Sequence, residues 1–265
     1  MPFTQQKLAS IYFGIGRMLL IAPHIPNDMG QHHVIQITFS AEHDFAIRTN
    51  ESDWKKTKLV ILDSNLPHQL KDLTGHQVSI AIIPENSRGK TIRKNILKGE
   101  KIVFPEIDMT NFHESFMNCM NEEYNCQKAF SLFDECIDFL TGTTGFTGPI
   151  DQRILEVIEI IHQNIQRSFS AARLAETIHL SEDRFLHLFK EQMGLPLRQF
   201  ILYQRIIFAT KYFMDGKSLT EAAIDAGFSD SAHFTRTFIA MNGNKPSDIA
   251  KFKNLFRVFI CFPEK

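Results

Sequence analysis

The chain has 265 residues and nearly balanced formal charge, with 29 Lys and Arg against 30 Asp and Glu. This balance excludes a polybasic protein that binds nucleic acid by bulk charge alone, although it leaves room for a small basic face. Hydrophobic residues make up 43% and charged residues 22% of the chain, which indicates a globular rather than a disordered protein.

The compartment is predicted from the cysteines and from the start of the chain. The four cysteines, at positions 119, 126, 136 and 261, form no CxxC pair and no Cys/His zinc spacing. The N-terminus lacks the basic start of a signal peptide, and no run approaches eighteen apolar residues. We therefore expect reduced thiols, a cytoplasmic location, no membrane association, no metal and no cofactor.

The first part of the chain, from about residue 10 to 104, contains short strand-like apolar runs. Ile35, Ile37 and Phe39 alternate with polar residues, and further runs cover 58–63 and 77–83. Turn-forming residues such as Asp, Asn, Gly and Pro separate these runs. This pattern predicts a β-sandwich or barrel.

Residues 109–140 change to helical spacing. The apolar positions that keep this spacing are Phe112, Phe116, Cys119, Met120, Phe130, Phe133, Ile137 and Leu140. They either form a dimer interface or pack on the domain that precedes them. Residues 141–149 then contain three glycines, four threonines and a proline, which predicts a linker.

The part after the linker is predicted to be helical and to contain an internal repeat. Residues 174–181 align with 222–229, and Phe185, Phe189 and Gly194 align with the later set Phe234, Phe238 and Gly243. Each copy is a short helix, a tight turn and a longer helix that ends at glycine, which is a helix-turn-helix layout.

Local signals support these helix boundaries. Ser181 and Asp230 are predicted to cap the second helix of each copy, and Ser218 with Glu221 forms a capping box. A helix from Pro196 to Met214 connects the two copies.

Residues 151–252 resemble the DNA-binding domain of the AraC/XylS family of bacterial transcription regulators. The resemblance rests on Leu180-Ser181, Leu188-Phe189-Lys190, Gly194, Arg205, Ala209, Gly227-Phe228, Phe234, Arg236, Phe238, Gly243 and Pro246-Ser247, in this order and spacing. It implies a seven-helix domain whose two helix-turn-helix units bind double-stranded DNA. It also implies a cytoplasmic homodimer, with RNA polymerase as a further candidate partner.

The resemblance also implies which side chains face DNA. The candidates are Asp183, Arg184, Leu186, His187 and Lys190 in the first recognition helix, and Ser231, Ala232, Thr235 and Arg236 in the second. Arg236 is the best base reader because arginine pairs bidentately with guanine in the major groove. A surface salt bridge is the alternative role for Arg236, and a solvated charge is the alternative for Lys190. We expect Arg205 to be a structural residue.

Residues 10–105 resemble, more weakly, the cupin-like β-barrel that precedes the DNA-binding domain in this family. His33 and His68 are the candidate effector-binding residues. Adjacent His32 and His33 point to opposite faces of a strand, so only one of them can share a site with His68. A hydrogen-bonded structural histidine pair is the alternative to a ligand site.

The fold class that follows is two-domain α+β, with an N-terminal cupin-like β-barrel and packing helices before a C-terminal all-α domain with two helix-turn-helix units. We divide the chain into a domain at 1–140, the linker at 141–149, the DNA-binding domain at 150–253 and an apolar tail at 254–265. The tail either packs on a domain or strengthens a dimer.

The leading functional prediction is a sequence-specific, effector-responsive transcriptional regulator without catalytic residues, since GxSxG, HExxH and nucleotide-binding glycine loops are absent. One alternative is a cupin-type metal- or small-molecule-binding enzyme or sensor fused to a DNA-binding domain. Another is an adaptor whose helical domain binds a protein.

Overall fold

A computed structural model of the chain describes residues 9–23, 29–71, 75–121, 125–143, 150–242, 245–247 and 255–261. The N-terminal part is rich in β-sheet, and the part after residue 150 is helical up to the last strand. No helix in these ranges is long and apolar enough to cross a membrane.

Two sheets form the β-structure. A seven-stranded sheet has the order β10-β1-β2-β8-β3-β6-β9, and a three-stranded sheet has the order β5-β4-β7. The strands are β1 (Ala9–Gly14), β2 (Arg17–Pro23), β3 (Ile35–Phe39), β4 (Phe45–Thr49), β5 (Lys55–Thr57), β6 (Leu59–Leu62), β7 (His68–Lys71), β8 (His76–Ile82), β9 (Ile102–Val103) and β10 (Phe256–Ile260).

The two sheets face each other but do not join into a barrel. Phe45, Ile47 and Leu70 of the small sheet pack against Val60 and Leu62 of the large one. Among the described strands, none of one sheet pairs with a strand of the other. The cupin-like barrel expected from the sequence is therefore not closed here. The edge strands β5 and β9, with three and two residues, are too short to carry a continuous ladder around the structure.

Three helices complete the N-terminal part. They are α1 (Ser87–Ile92), which continues into a π-helical turn at Arg93–Leu97, then α2 (Thr110–Asn121) and α3 (Cys126–Thr141). Asn125 caps α3 by accepting a hydrogen bond from the Lys128 amide, and Gly142 ends it with a positive φ.

Helices α2 and α3 cover one face of the large sheet. Five of the side chains considered for a dimer interface are buried in the core of their own chain: Phe116, Cys119, Phe130, Phe133 and Ile137. Their helical spacing therefore reflects packing within the chain. Phe112 is half-buried, and the side chain of Met120 lies outside the described part.

The C-terminal part has six helices within residues 150–242. They are α4 (Gln152–Gln163), α5 (Ala171–Thr177), α6 (Glu182–Met193), α7 (Leu197–Met214), α8 (Leu219–Asp225) and α9 (Ser231–Asn242). One apolar cluster joins α4, α5, α6 and the start of α7, and a second joins α7, α8 and α9. Most of the predicted linker, residues 144–149, lies outside the described part.

The end of the chain returns to the N-terminal sheet. Strand β10 runs parallel to β1, with Phe256 to Ile260 alongside Ala9 to Phe13. Its other neighbour is α7, and the two share an apolar cluster that includes Ile207 and Phe213. The tail residues that are described therefore pack against both parts of the chain.

This return brings two cysteines together. Cys126 and Cys261 form a disulfide bond, while the buried Cys119 and Cys136 are not disulfide-bonded. The expectation of four reduced thiols is wrong for this pair. Local cysteine spacing gives no sign of a contact between residues 135 apart in the sequence, because that contact depends on where β10 pairs.

Candidate nucleic-acid interface

The first helix pair, α5 and α6, is held by aromatic packing. Ser181 caps α6 by accepting from the Arg184 amide at 3.4 Å. Phe185 and Phe189 are completely buried, with ring centroids 5.7 Å apart, and Phe189 also packs edge-on against Phe200 of α7. This packing fixes which face of α6 points to solvent.

The exposed face of α6 carries most of the predicted DNA-facing side chains. Asp183, Arg184, His187 and Lys190 are exposed, and Leu186 is half-buried against the cluster below. Gly194 ends the helix at φ +76°, as its sequence position predicts.

The second helix pair, α8 and α9, has a stronger set of local caps. Ser218 and Glu221 form the predicted capping box. Asp230 begins α9 by accepting from the His233 amide at 2.6 Å, and it also accepts from the Ser229 hydroxyl. These two hydrogen bonds hold the pKa of the Asp230 carboxyl below its usual value, so the cap is ionised at neutral pH.

The turn of the second pair requires glycine. Gly227 has φ +90°, and a Cβ there would lie 2.6 Å from the Ile165 carbonyl oxygen. Beyond the turn, Phe234 and Phe238 are buried. The face of α9 opposite them presents Ser231, Ala232, half-buried Thr235 and Arg236.

Helix α7 connects the pairs and is anchored by polar contacts that sequence patterns do not indicate. Arg205 donates to the carbonyl oxygens of Arg167 at 2.8 Å and Ile165 at 3.3 Å, which matches the structural role expected for it. His162 and Gln204 form a buried hydrogen bond of 2.9 Å, and burial lowers the pKa of His162 to about 4.

The helical C-terminal part of the chain is similar to known DNA-binding regulators. Residues 174–251 match a family model described as a helix-turn-helix domain. The relatives that match this part of the chain are regulators of the AraC/XylS family. The probable transcriptional regulator LumQ of Photobacterium leiognathi is 32% identical over 88 residues, which cover 33% of this chain and 36% of that protein.

Two further proteins extend the comparison. The arabinose operon regulatory protein of Escherichia coli K12 is 31% identical over 103 residues, covering 38% of this chain and 35% of that protein. The chain thus spans about a third of the length of these curated relatives. The structure of ToxT from Vibrio cholerae covers 89% of this chain and 98% of its own, with TM-score 0.52 and 14% identity, so it shares the fold.

The charge of the C-terminal domain is mixed at the candidate interface. On α6 the cations Arg184 and Lys190 stand beside the carboxylate of Asp183, and on α9 the cation Arg236 interacts electrostatically with the carboxylate of Asp230. Within the described residues Arg236 forms no ion pair. Exposed cations therefore lie on both α6 and α9.

The predicted histidines of the N-terminal domain, His33 and His68, differ in their surroundings. His33 is exposed, and its Nε2 lies 3.0 Å from a Glu85 carboxylate oxygen. His68 is buried in β7 and packs edge-on against His32, with ring centroids 5.0 Å apart. Burial, with a smaller contribution from His32, lowers the pKa of His68 to about 4, so both buried rings are neutral at pH 7.

His32 begins a row of polar side chains between the two sheets, in which His32 and Gln36 are half-buried and Thr38 and Ser79 are buried. Its Nε2 lies 2.5 Å from Gln36 Oε1, the Gln36 amide donates to Thr38 Oγ1 at 2.8 Å, and the Thr38 and Ser79 hydroxyls are 3.0 Å apart. This row lies on the face of the large sheet that is turned away from α2 and α3. No group of three or more potential metal-ligating side chains occurs in the described ranges.

Proposed function

We propose that the chain is a cytoplasmic, sequence-specific DNA-binding transcriptional regulator that reads two successive major grooves with α6 and α9. The observation that carries the proposal is the pair of helices whose buried phenylalanines leave one polar face open on each. Helix α7 joins the two pairs, and its 18 residues extend about 27 Å at about 1.5 Å per residue. That length is close to the ~34 Å between successive major grooves on one side of B-DNA.

The roles of individual residues follow from their chemistry. Arg236 reads guanine, and Thr235 contacts a thymine methyl group or a phosphate. Arg184 and Lys190 contact phosphates, which gives affinity without sequence preference. Asp183 has two alternative roles. It accepts a hydrogen bond from a cytosine amine, or it repels phosphate and so weakens the contact of α6 with DNA, in which case α9 supplies most of the sequence specificity. Leu186, His187, Ser231 and Ala232 complete the two faces.

The N-terminal domain is proposed to bind a small effector at the polar row between the sheets. His68 and the row from His32 to Ser79 offer neutral hydrogen-bonding groups in a buried setting, which suits an uncharged ligand with several hydroxyl groups. ToxT, which shares the fold, has been solved with (E)-4-(8-methylnaphthalen-1-yl)but-3-enoic acid bound. An effector that prefers one arrangement of the two domains would shift the population that binds DNA. His33 is exposed beside Glu85, so it would contact an effector only at the edge of this site.

The homodimer is proposed to form through the outer face of α3. Phe139 is 54% exposed and lies against Phe112, with ring centroids 5.3 Å apart. Ile107, 37% exposed, lines an adjacent apolar groove together with Leu140. Exposed large apolar side chains that lie close together, such as Phe139 of α3 and Ile107 before α2, are typical of a protein interface.

Selection of bound duplexes from a random pool tests the DNA-binding proposal on the full-length protein. We expect enrichment of two short motifs about ten base pairs apart. The Arg236→Ala variant should lose the preference within one motif. Lys94→Ala, which removes an exposed charge of the N-terminal domain, is the matched control and should enrich the same sequences as the unmodified protein. Failure of the unmodified protein to enrich any sequence would contradict the proposal.

A further inference from the structure

The disulfide bond between Cys126 and Cys261 fastens the two ends of the fold to each other. Cys126 is the first residue of α3 in the N-terminal domain, and Cys261 directly follows β10. Their Cα atoms are 5.5 Å apart although 135 residues separate them in the sequence. The bond therefore closes a loop that contains the whole C-terminal domain.

Strand β10 is the element that this bond holds. The Cys261 amide donates to the Phe13 carbonyl at 2.7 Å, and the Ala9 amide donates to the Leu255 carbonyl at 3.0 Å. Phe259 stacks on Tyr12 with ring centroids 4.9 Å apart. Strand β10 has five residues and lies at the edge of the sheet, where β1 is its neighbour in the strand order.

The same strand links the sheet to the helix on which both recognition helices are mounted. Phe256 and Val258 of β10 share an apolar cluster with Ile207 and Phe213 of α7, and Phe13 of β1 belongs to it as well. Helix α7 packs in turn against α6, α8 and α9. Whatever fixes β10 on the sheet therefore also fixes the DNA-binding domain against the N-terminal domain.

The two sulfur atoms differ in their accessibility. Cys126 is half-buried at the start of a helix, whereas Cys261 is 6% exposed. Cys126 Sγ is therefore the sulfur that a reductant in solution reaches more readily. Burial raises the pKa of Cys136, which keeps that thiol protonated and unreactive.

Bacterial cytoplasm keeps most thiols reduced, and the disulfides found there in mesophiles are usually transient. A bond that joins two domains through an accessible sulfur is suited to such reversible use. We propose that the Cys126–Cys261 bond is a redox-controlled clasp, opened by a dithiol reductant, that sets whether β10 holds the DNA-binding domain against the N-terminal domain. Its effect on DNA affinity rests on the function proposed above.

The exchange is a two-electron reduction. A thiolate of the reductant attacks Cys126 Sγ, the Cys126–Cys261 bond breaks, and Cys261 leaves as a thiolate that takes up a proton. The second thiol of the reductant then attacks the mixed disulfide, loses its proton and releases Cys126, which is protonated in turn. The protein gains two thiols and the reductant becomes a disulfide. Oxidation by a small disulfide reverses these steps.

Thiol counting and amide hydrogen exchange test the clasp on the full-length protein without DNA. After treatment with glutathione disulfide, alkylation in denaturant should modify only Cys119 and Cys136, and after dithiothreitol it should modify all four cysteines. Amides of residues 255–261 should exchange about tenfold faster or more in the reduced protein, because the loop is no longer closed. Four modified cysteines in the oxidised sample, or equal exchange in both states, would overturn the proposal.

Variants separate the clasp from a general effect of the reductant. Cys261→Ser should show fast exchange at 255–261 with or without dithiothreitol. Cys119→Ala retains the bonded pair and should respond like the unmodified protein; a Cys119→Ala protein with fast exchange in both states would contradict the assignment to Cys126 and Cys261. The reductant experiment on the unmodified protein stays decisive even if a variant folds poorly.

A DNA-binding experiment compares the affinities of the oxidised and the reduced protein for the duplex selected from the random pool. We expect reduction to tighten binding by about fivefold or more, since release of β10 lets α7 and its recognition helices adjust to the duplex. Unchanged or weaker affinity after reduction, with β10 released, would overturn the regulatory role of the clasp. Absence of affinity in both states would instead contradict the proposed DNA-binding function, and the exchange result alone would then decide the clasp.

Discussion

Replacement of Gly194 by alanine probes the contact between α6 and the N-terminal domain. Gly194 ends α6 at φ +76°, and a Cβ there would lie 2.9 Å from the Asn86 nitrogen and 2.9 Å from the Glu85 carbonyl carbon. Both of those atoms belong to the backbone of the N-terminal domain. Unlike the end of a flexible side chain, they cannot rotate out of the way.

The cost of Gly194→Ala has two parts. An alanine in the left-handed region costs about 1–2 kcal/mol. Forcing a methyl group into a packed contact typically adds about 1–3 kcal/mol. Gly142→Ala is a matched control, because Gly142 also ends a helix at positive φ, +65°, but among the described residues, its chain neighbours apart, no atom lies within 4 Å of the added Cβ. We therefore expect Gly194→Ala to exceed the control by about 1–3 kcal/mol.

Urea unfolding of the full-length variants measures this difference, and amide exchange locates it. The amides of Glu85 and Asn86 should exchange faster in Gly194→Ala and should remain unchanged in Gly142→Ala. Equal destabilisation by the two substitutions, with no change in exchange at Glu85 and Asn86, would refute the reasoning, because it would show that α6 does not end against the N-terminal domain.

Three further predictions test stability and assembly. Burial lowers the pKa of His68 and of His162 to about 4, so the unfolded chain binds more protons than the folded chain below about pH 6.5. The free energy of unfolding should therefore fall by about 2 kcal/mol per histidine between pH 7 and pH 5. A free energy of unfolding that does not change with pH would contradict this prediction. Phe139→Asp should shift sedimentation from dimer to monomer, whereas Ile224→Asp, at an exposed site on α8, should leave the dimer intact. Asp230→Ala removes the cap of α9 and should cost about 0.5–2 kcal/mol in denaturant unfolding, and an unchanged stability would show that the cap contributes nothing.

The helical features of the C-terminal domain were accessible from sequence because they are local. Phe185 and Phe189 recur at helical spacing, and capping signals such as Ser218 with Glu221 act within one turn. When the apolar residues of one helix face are buried, the residues of the opposite face are exposed to solvent. The exposed side chains of α6 and α9 could therefore be predicted from the sequence. Gly243, the second predicted helix stop, lies outside the described residues.

The features that escaped prediction depend on long-range pairing. Nothing near Phe256 or in the first strand indicates that β10 pairs with β1, so the Cys126–Cys261 contact was not foreseen. Closure of a barrel depends on strand length and register, which alternation of apolar residues does not fix. His33 was placed in a strand by that alternation, yet β3 begins only at Ile35.

The most direct test of the central claim measures how Arg236 contributes to base readout. Dissociation constants of the unmodified protein and of Arg236→Ala are compared on the selected duplex and on three versions with each other base pair at the guanine position. Loss of a bidentate contact predicts about 1–3 kcal/mol weaker binding to the selected duplex and little change on the other three. An equal loss on all four duplexes would show that Arg236 contacts only phosphate, which would contradict sequence readout by this residue of α9.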